Sequence, residues 1–406
     1  DVLGSRGLGD VYKRQDKGCR RDSDRIDKCM KKTVFRALSA LIFLAIFTLP
    51  SFAANTDEYY KDQLEASGAK ELSELLDDET KDYLERVGCG DMDFATMLDS
   101  SPKAIFSLMA EITEGCLKAP LAGAMKAVAA VMLISVCGGF FPNDERSRAV
   151  MGCVCGCFLM LSVFSGGVST VKAGVSAISA CAVFEKALIP VLAGVMTASG
   201  NPAAAVSVQG AAFAAAETLA ALAETFFLPL IGVTAALGAV GAMLPTLRLS
   251  AVSDLIRKTV SSVLGICAAM FSGLLSIKCV IAGSADSLTA RGVKLAANTF
   301  VPVVGGALSE AYSSVAGSLA LMKNAVGAYG AIALFFIAAP PAVQLALWAL
   351  AMRAACAVAE LLGCAQQAEM LKNIGYVFAM TNTLLILCAA VLMISAGTVL
   401  VIKNGG

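Results

Sequence analysis

YVFAMTNTLLILCAAVLMISAGTVLVI, residues 376–402, is the stretch that decides the fold class. It carries no charged residue, and it exceeds the roughly 20 residues that a helix needs to cross about 30 Å of hydrocarbon. Similar apolar runs lie upstream at about 120–141, 149–168, 175–199, 226–247, 259–282 and 325–351. Ala203 to Ala223 is an eighth run whose apolar content is mostly alanine and which holds Glu217, so it reads either as a span or as a half-buried or re-entrant helix. The expected fold class is therefore all-α: a polytopic helical integral membrane protein of about 7–8 spans.

Composition agrees. Apolar residues make up 57% of the chain and charged residues 16%, against roughly 25% charged in an ordinary soluble domain. The net charge of zero conceals an acidic stretch, residues 55–118, followed by a modestly basic hydrophobic remainder. That balance speaks against nucleic-acid binding. The chain has no histidine, so the commonest general base and metal ligand are both missing, and an enzyme is not expected. No cofactor is expected either. The 14 cysteines sit mostly inside apolar runs, where a thiol behaves as a small polarizable hydrophobe. Cys153, Cys155 and Cys157 lie two apart, a spacing that points neighbours away from each other on a helix and does not build a metal shell.

Four segments follow from this patterning. Residues 1–29 mix Arg, Lys and Asp without apolar period, and the run Asp10 to Gln15 resembles translated sequencing-adapter sequence. They read as non-native upstream translation, with Met30 as the start. Residues 30–54 carry Lys31, Lys32 and Arg36, an apolar stretch from Ala37 to Leu49, and Ser51 and Ala53 at small-residue cleavage spacing. They read as a signal peptide, with an uncleaved anchor as the alternative. Residues 55–118 form an expected acidic helical ectodomain. Leu64, Leu72, Leu75, Leu76, Leu84 and Val87 recur there at helical spacing, Gly88 to Gly90 ends the pattern, and a second helix starts at Ser101-Pro102. That helix buries Ile105, Met109, Ile112 and Cys116 and lies on the membrane surface or packs on its partner. Residues 119–406 form the multi-span domain. With the acidic region outside, the loop holding Arg146 and Arg148 falls on the cytoplasmic side, as do the Arg248 to Lys258 loop, if Ala203 to Ala223 spans, and then the loop 352–375 with Arg353 and Lys372.

Within the spans, Glu185 and Lys186 stand near the middle of an apolar segment, where an ionisable group costs several kcal/mol unless paired or hydrated. They read as a possible intramembrane charged pair, as part of a water-filled path, or as an interfacial site. Pro340-Pro341 removes two backbone donors and is expected to break or kink its helix, or to mark an earlier helix end. Gly152 with Gly156, Gly232 with Ala236, and Gly327 with Gly330 and Ala331 have helix-packing spacing, although alanine and glycine are abundant throughout.

The most informative region is 284–330. Asp286, Arg291 and Lys294 share a wedge of about 140° on a helical wheel at roughly 100° per residue. They are followed by Phe300-Val301-Pro302-Val303-Val304-Gly305-Gly306, then Ser309, then Lys323-Asn324-Ala325-Val326-Gly327. Irregular backbone of this kind is tolerated at membrane depth only where it is buried in protein or lines water.

These residues resemble the stage III sporulation protein AE family, loosely from Met30 to Gly406 and most specifically over 286–327. The resemblance implies a non-enzymatic membrane subunit of the secretion-like channel joining mother cell to forespore in endospore-forming bacteria. It further implies the outer forespore membrane as location, other stage III A sporulation membrane proteins as partners, and the forespore stage II protein Q as an indirect one. Asp286, Arg291, Lys294, Pro302, Gly305, Gly306, Ser309, Lys323, Asn324 and Gly327 are then the family signature, candidates for a pore lining or a partner contact. The alternative function is a stand-alone secondary transporter with Glu185 and Pro340-Pro341 at its site. No inverted repeat supports it.

Overall fold

In the computed structural model the described residues are 67–90, 97, 102–140, 145–199, 202–243, 251–271, 273 and 305–401, some helical positions by backbone alone. The expected leader segments, residues 244–250 and the signature residues 284–304 lie outside them. Every regular element among the described residues is a helix. In chain order we label them α1 (Glu71–Glu74), α2 (Asp78–Val87), α3 (Pro102–Phe140), α4 (Glu145–Ala198), α5 (Pro202–Leu222), α6 (Leu228–Met243), α7 (251–271), α8 (Gly305–Leu361) and α9 (Ala365–Val401). Five of them are long and apolar enough to cross a membrane, over Lys103–Cys137, Gly166–Ala198, Ala212–Gly238, Gly317–Leu361 and Ala365–Gly397. This is a helical membrane protein.

Several of the runs separated in the sequence join in the structure. The runs at 149–168 and 175–199 belong to α4, one helix of 54 residues. The Ser101-Pro102 helix and the run at 120–141 are both α3. The runs at 203–223 and 226–247 are α5 and α6, linked by a single π turn, Ala223–Phe227, with no loop between. Pro340 and Pro341 lie inside α8, which continues through them for 57 residues, so the expected break is absent. A proline in a helix leaves the carbonyl four residues earlier without its donor. Here those carbonyls belong to Phe336 and Ile337, and Cys116 of α3 approaches the next part of the turn, Pro340 O, at 4.0 Å.

Side-chain contacts fix the register. Along α8, Pro340, Trp348 and Leu362 meet Cys116, Gly123 and Ser135 of α3, so those two helices run parallel. Leu188, Cys181, Gly174 and Gly166 of α4 meet Gly330, Leu334, Leu345 and Trp348 in turn, so α4 runs antiparallel to α8. Helix α9 turns back at Gly363, whose φ of +72° suits glycine, and lies against both. Trp348 is the centre of the packing: it stacks on Phe378 of α9 with centroids 5.3 Å apart. A Cβ on Gly123 would come within 2.5 Å of its ring and one on Gly166 within 3.0 Å.

The acidic segment packs on this bundle. Gly88, with φ +84°, closes α2 as its sequence suggests. Leu72, Leu76, Leu84 and Val87 are buried, while Leu75 is 53% exposed because α1 ends before it. Tyr83 reaches Phe336 of α8 at 5.8 Å between ring centroids, and Arg86 bridges to Glu111 of α3. Helix α3 buries Leu108 and Ile112, with Ile105, Met109 and Cys116 half-buried beside them.

Candidate functional site

Buried polar groups in a helical membrane bundle are the residues that its packing does not explain. Most of them lie on α4, α8 and α9, with Thr80 of α2, Thr234 of α6 and Ser253 of α7 besides. On α4, one carboxyl stands among apolar neighbours: Glu185 is 1% exposed, and its Oε2 has no hydrogen-bond partner. Cys181, one turn earlier, approaches the Leu334 carbonyl of α8 at 4.0 Å. Ser395 of α9 faces the carboxyl from the third side. Helix α8 contributes Lys323, 1% exposed, and Asn324, whose Oδ1 is buried without a partner. Helix α9 adds Asn382, whose Oδ1 is likewise buried and unpartnered.

Glu185 and Lys186 do not form the expected pair. Successive residues on a helix point about 100° apart, so when Glu185 turns into the bundle Lys186 turns to the next helix. There it meets Glu217 of α5 at 2.5 Å, both side chains partly open. That cross-helix ion pair was hidden in the sequence by the distance between its members.

The signature is divided. Asp286, Arg291, Lys294 and Pro302 lie outside the described residues. Gly305, Gly306 and Ser309 occupy the first turns of α8, and Lys323, Asn324 and Gly327 follow farther along the same helix, with Lys323 and Gly327 buried. Gly330, close to the signature, admits Leu188 of α4 so tightly that a Cβ would overlap its methyl groups. Of the other small pairs, Gly232 faces open space, so the sequence spacing does not mark a contact there.

Two cavities adjoin the bundle. One of 470 Å³ lies between α4, α6 and α9, lined by Val163, Val171, Ile231, Ala235, Ile374 and Phe378, and is almost wholly apolar. The other, of 740 Å³, lies between the acidic segment and α4 and α8. Its walls combine Asp77, Glu79 and Thr80 with Phe336, Ile337 and the two prolines. Tyr83 at its edge donates to Glu79; burial, then that carboxylate, push its phenol far above the ordinary range. Among the described residues no three Cys, Asp or Glu side chains gather as metal ligands. The arrangement offers buried dipoles and charge inside the bundle.

Comparison with known proteins converges on one group. The family model described as stage III sporulation protein AE matches residues 102–403. Stage III sporulation protein AE of Bacillus subtilis (strain 168) is 29% identical over 180 residues, which are 44% of this chain and 45% of that protein. The match thus spans less than half of the curated relative's length. No solved structure matches. With the family model running from the start of α3 to the end of α9, the chain belongs to the stage III sporulation protein AE family.

Proposed function

We propose that the chain acts in endospore formation as a non-enzymatic membrane subunit of a secretion-like channel complex between mother cell and forespore. Family membership supports the sporulation role. The single structural observation that carries the subunit reading is the bundle of apolar helices with polar groups buried inside it, Glu185, Lys323 and Asn324 foremost. Such groups are costly in any apolar interior and are retained where they serve a path or a contact. In this reading the protein sits in the outer forespore membrane. Its partners are the other stage III A membrane proteins and, indirectly, stage II protein Q on the forespore side. The signature residues Asp286, Arg291 and Lys294 line a hydrated surface or dock one of those partners.

The stand-alone transporter is the weaker reading. Transporter sites are typically built on interrupted helices, whereas α8 passes through Pro340-Pro341 without interruption. The test is charge reversal at Arg291 or Lys294 in a spore former carrying no other copy. We expect heat-resistant spores to be lost while the protein accumulates normally in the membrane. Normal sporulation in both variants removes the signature from the mechanism, and solute uptake by the purified chain alone in liposomes replaces the subunit reading with the transporter.

A further inference from the structure

The two longest helices are too long for one bilayer. At 1.5 Å per residue α4 measures about 81 Å and α8 about 86 Å, against a hydrocarbon core of about 30 Å. Tilt does not absorb a mismatch of that size. Part of the bundle must therefore stand outside lipid, and the exposed side chains mark where the boundary falls.

Helix α4 shows the change most clearly. Its first half exposes Val150, Val154, Phe158 and Leu161, each at 59% or more. From Lys172 onward the exposed residues are small or polar, Lys172, Ala173, Ser176, Ala180, Gly194, Thr197 and Ala198, apart from Val183 and Pro190. Helix α3 changes in the opposite chain direction, as its packing requires. Before Ala119 the exposed residues include Lys103, Glu111, Glu114 and Lys118 alongside Phe106 and Leu117, and after it Leu121, Met125, Met132, Leu133 and Val136, with Lys126 the one charge, long enough to reach the interface. The α5–α6 rod repeats the pattern less sharply, with Glu217, Thr218, Glu224 and Thr225 exposed beside Val206, Phe213 and Phe226, and with Pro229, Gly232, Val233 and Val240 exposed farther on.

These three transitions fall at one level. Gly123 of α3 and Gly166 of α4 touch the same Trp348 ring, and Val163 to Val171 of α4 share a cavity wall with Leu228 to Ala236 of α6. The acidic helix α2 docks beyond that level, against Phe336. The other half of the bundle is still apolar by sequence, but for a different reason. Residues 318–338 of α8 are buried or half-buried throughout, and residues 384–397 of α9 expose only Ile386. Helices apolar on all sides are explained by burial in protein as well as by lipid.

We propose that only the half of the bundle containing the Trp348 layer, residues 121–136 of α3 and 150–161 of α4 is immersed in hydrocarbon. The half containing α5, the end of α4 and the start of α8 stands out of the bilayer on the face that carries the acidic segment. This placement holds for a subunit and for a stand-alone carrier alike, so its failure leaves the functional reading in place.

Tryptophan fluorescence in vesicles of brominated phosphatidylcholine tests it with the full chain. Two variants are made on a Trp348→Phe background, Phe158→Trp and Phe213→Trp, both at exposed positions. Phe158→Trp is expected to lose most of its emission to the brominated chains and Phe213→Trp to keep it. Equal quenching of the two, or an unquenched Phe158→Trp, overturns the placement. Should loss of Trp348 unfold the bundle, the unsubstituted chain in vesicles bearing a photoactivatable acyl chain gives the same answer by mass spectrometry. Label is expected on peptides covering 121–136 and 150–161 and absent from those covering 206–226; label on the latter overturns it.

Discussion

Gly330 and Leu188 interlock so closely that no side chain fits at 330 without movement. Overpacking of this kind typically costs about 1–3 kcal/mol. Gly330→Ala should lower thermal stability in detergent by about that amount. Leu188→Ala on its own should cost about 2–5 kcal/mol through the cavity it leaves. The double variant should be more stable than the sum of the two single losses allows, because the smaller residue at 188 makes room for the methyl at 330. Strict additivity would remove the contact. Glu185 gives a second prediction. An unpaired charge in an apolar interior is costly, so Glu185→Gln, which keeps shape and polarity without charge, should leave the melting temperature equal or higher, and Glu185→Lys should lower it. A fall for Glu185→Gln, read in the same melt, would show that the charged form has a partner.

The elements were legible in the sequence as apolar stretches but not as lengths. The apparent gap between 168 and 175 comes from Gly166, Gly167, Ser169, Thr170 and Lys172, residues that depress hydropathy without ending a helix. Their glycines serve contact instead: a Cβ on Gly167 would lie 2.7 Å from Phe378, and one on Gly174 the same distance from Leu345. Hydropathy cannot distinguish a glycine that makes a turn from one that admits an aromatic ring. Pro340-Pro341 misled for a related reason, since the cost of two lost helix bonds is local while the packing of α8 against α3, α4 and α9 is not. Of the candidate site, Glu185 stands out in the sequence because charge in an apolar run is rare, and Lys323 and Asn324 through the family resemblance alone. The partner of Lys186 does not, because Glu217 is distant in the chain. The acidic segment meets the bundle at Tyr83 on Phe336 and at the Arg86 bridge, the latter open to water and therefore weak. Tyr83→Ala should cost about 3 kcal/mol and release residues 67–90 to limited proteolysis while α4, α8 and α9 stay protected. Arg86→Ala should leave the digestion pattern unchanged.

At the scale of the whole molecule, the same sequence property has two causes: lipid around one half of the bundle and protein around the helices at the centre of the other. The Lys186–Glu217 pair distinguishes them. In water a half-exposed bridge is worth at most about 1 kcal/mol, whereas a lone charge left facing hydrocarbon costs about 3 kcal/mol or more. Lys186→Ala in reconstituted vesicles should therefore shift unfolding by no more than the smaller figure. A loss of the larger size would return that end of the bundle to lipid. The uninterrupted course of α4 and α8 also has a mechanical meaning. Force applied at one tip of such a shaft travels along it, and the places where it can flex are the ones with missing helix bonds, Pro190 in α4 and Pro340-Pro341 in α8. If the assembly opens and closes, these two helices act as levers whose give is concentrated at those prolines.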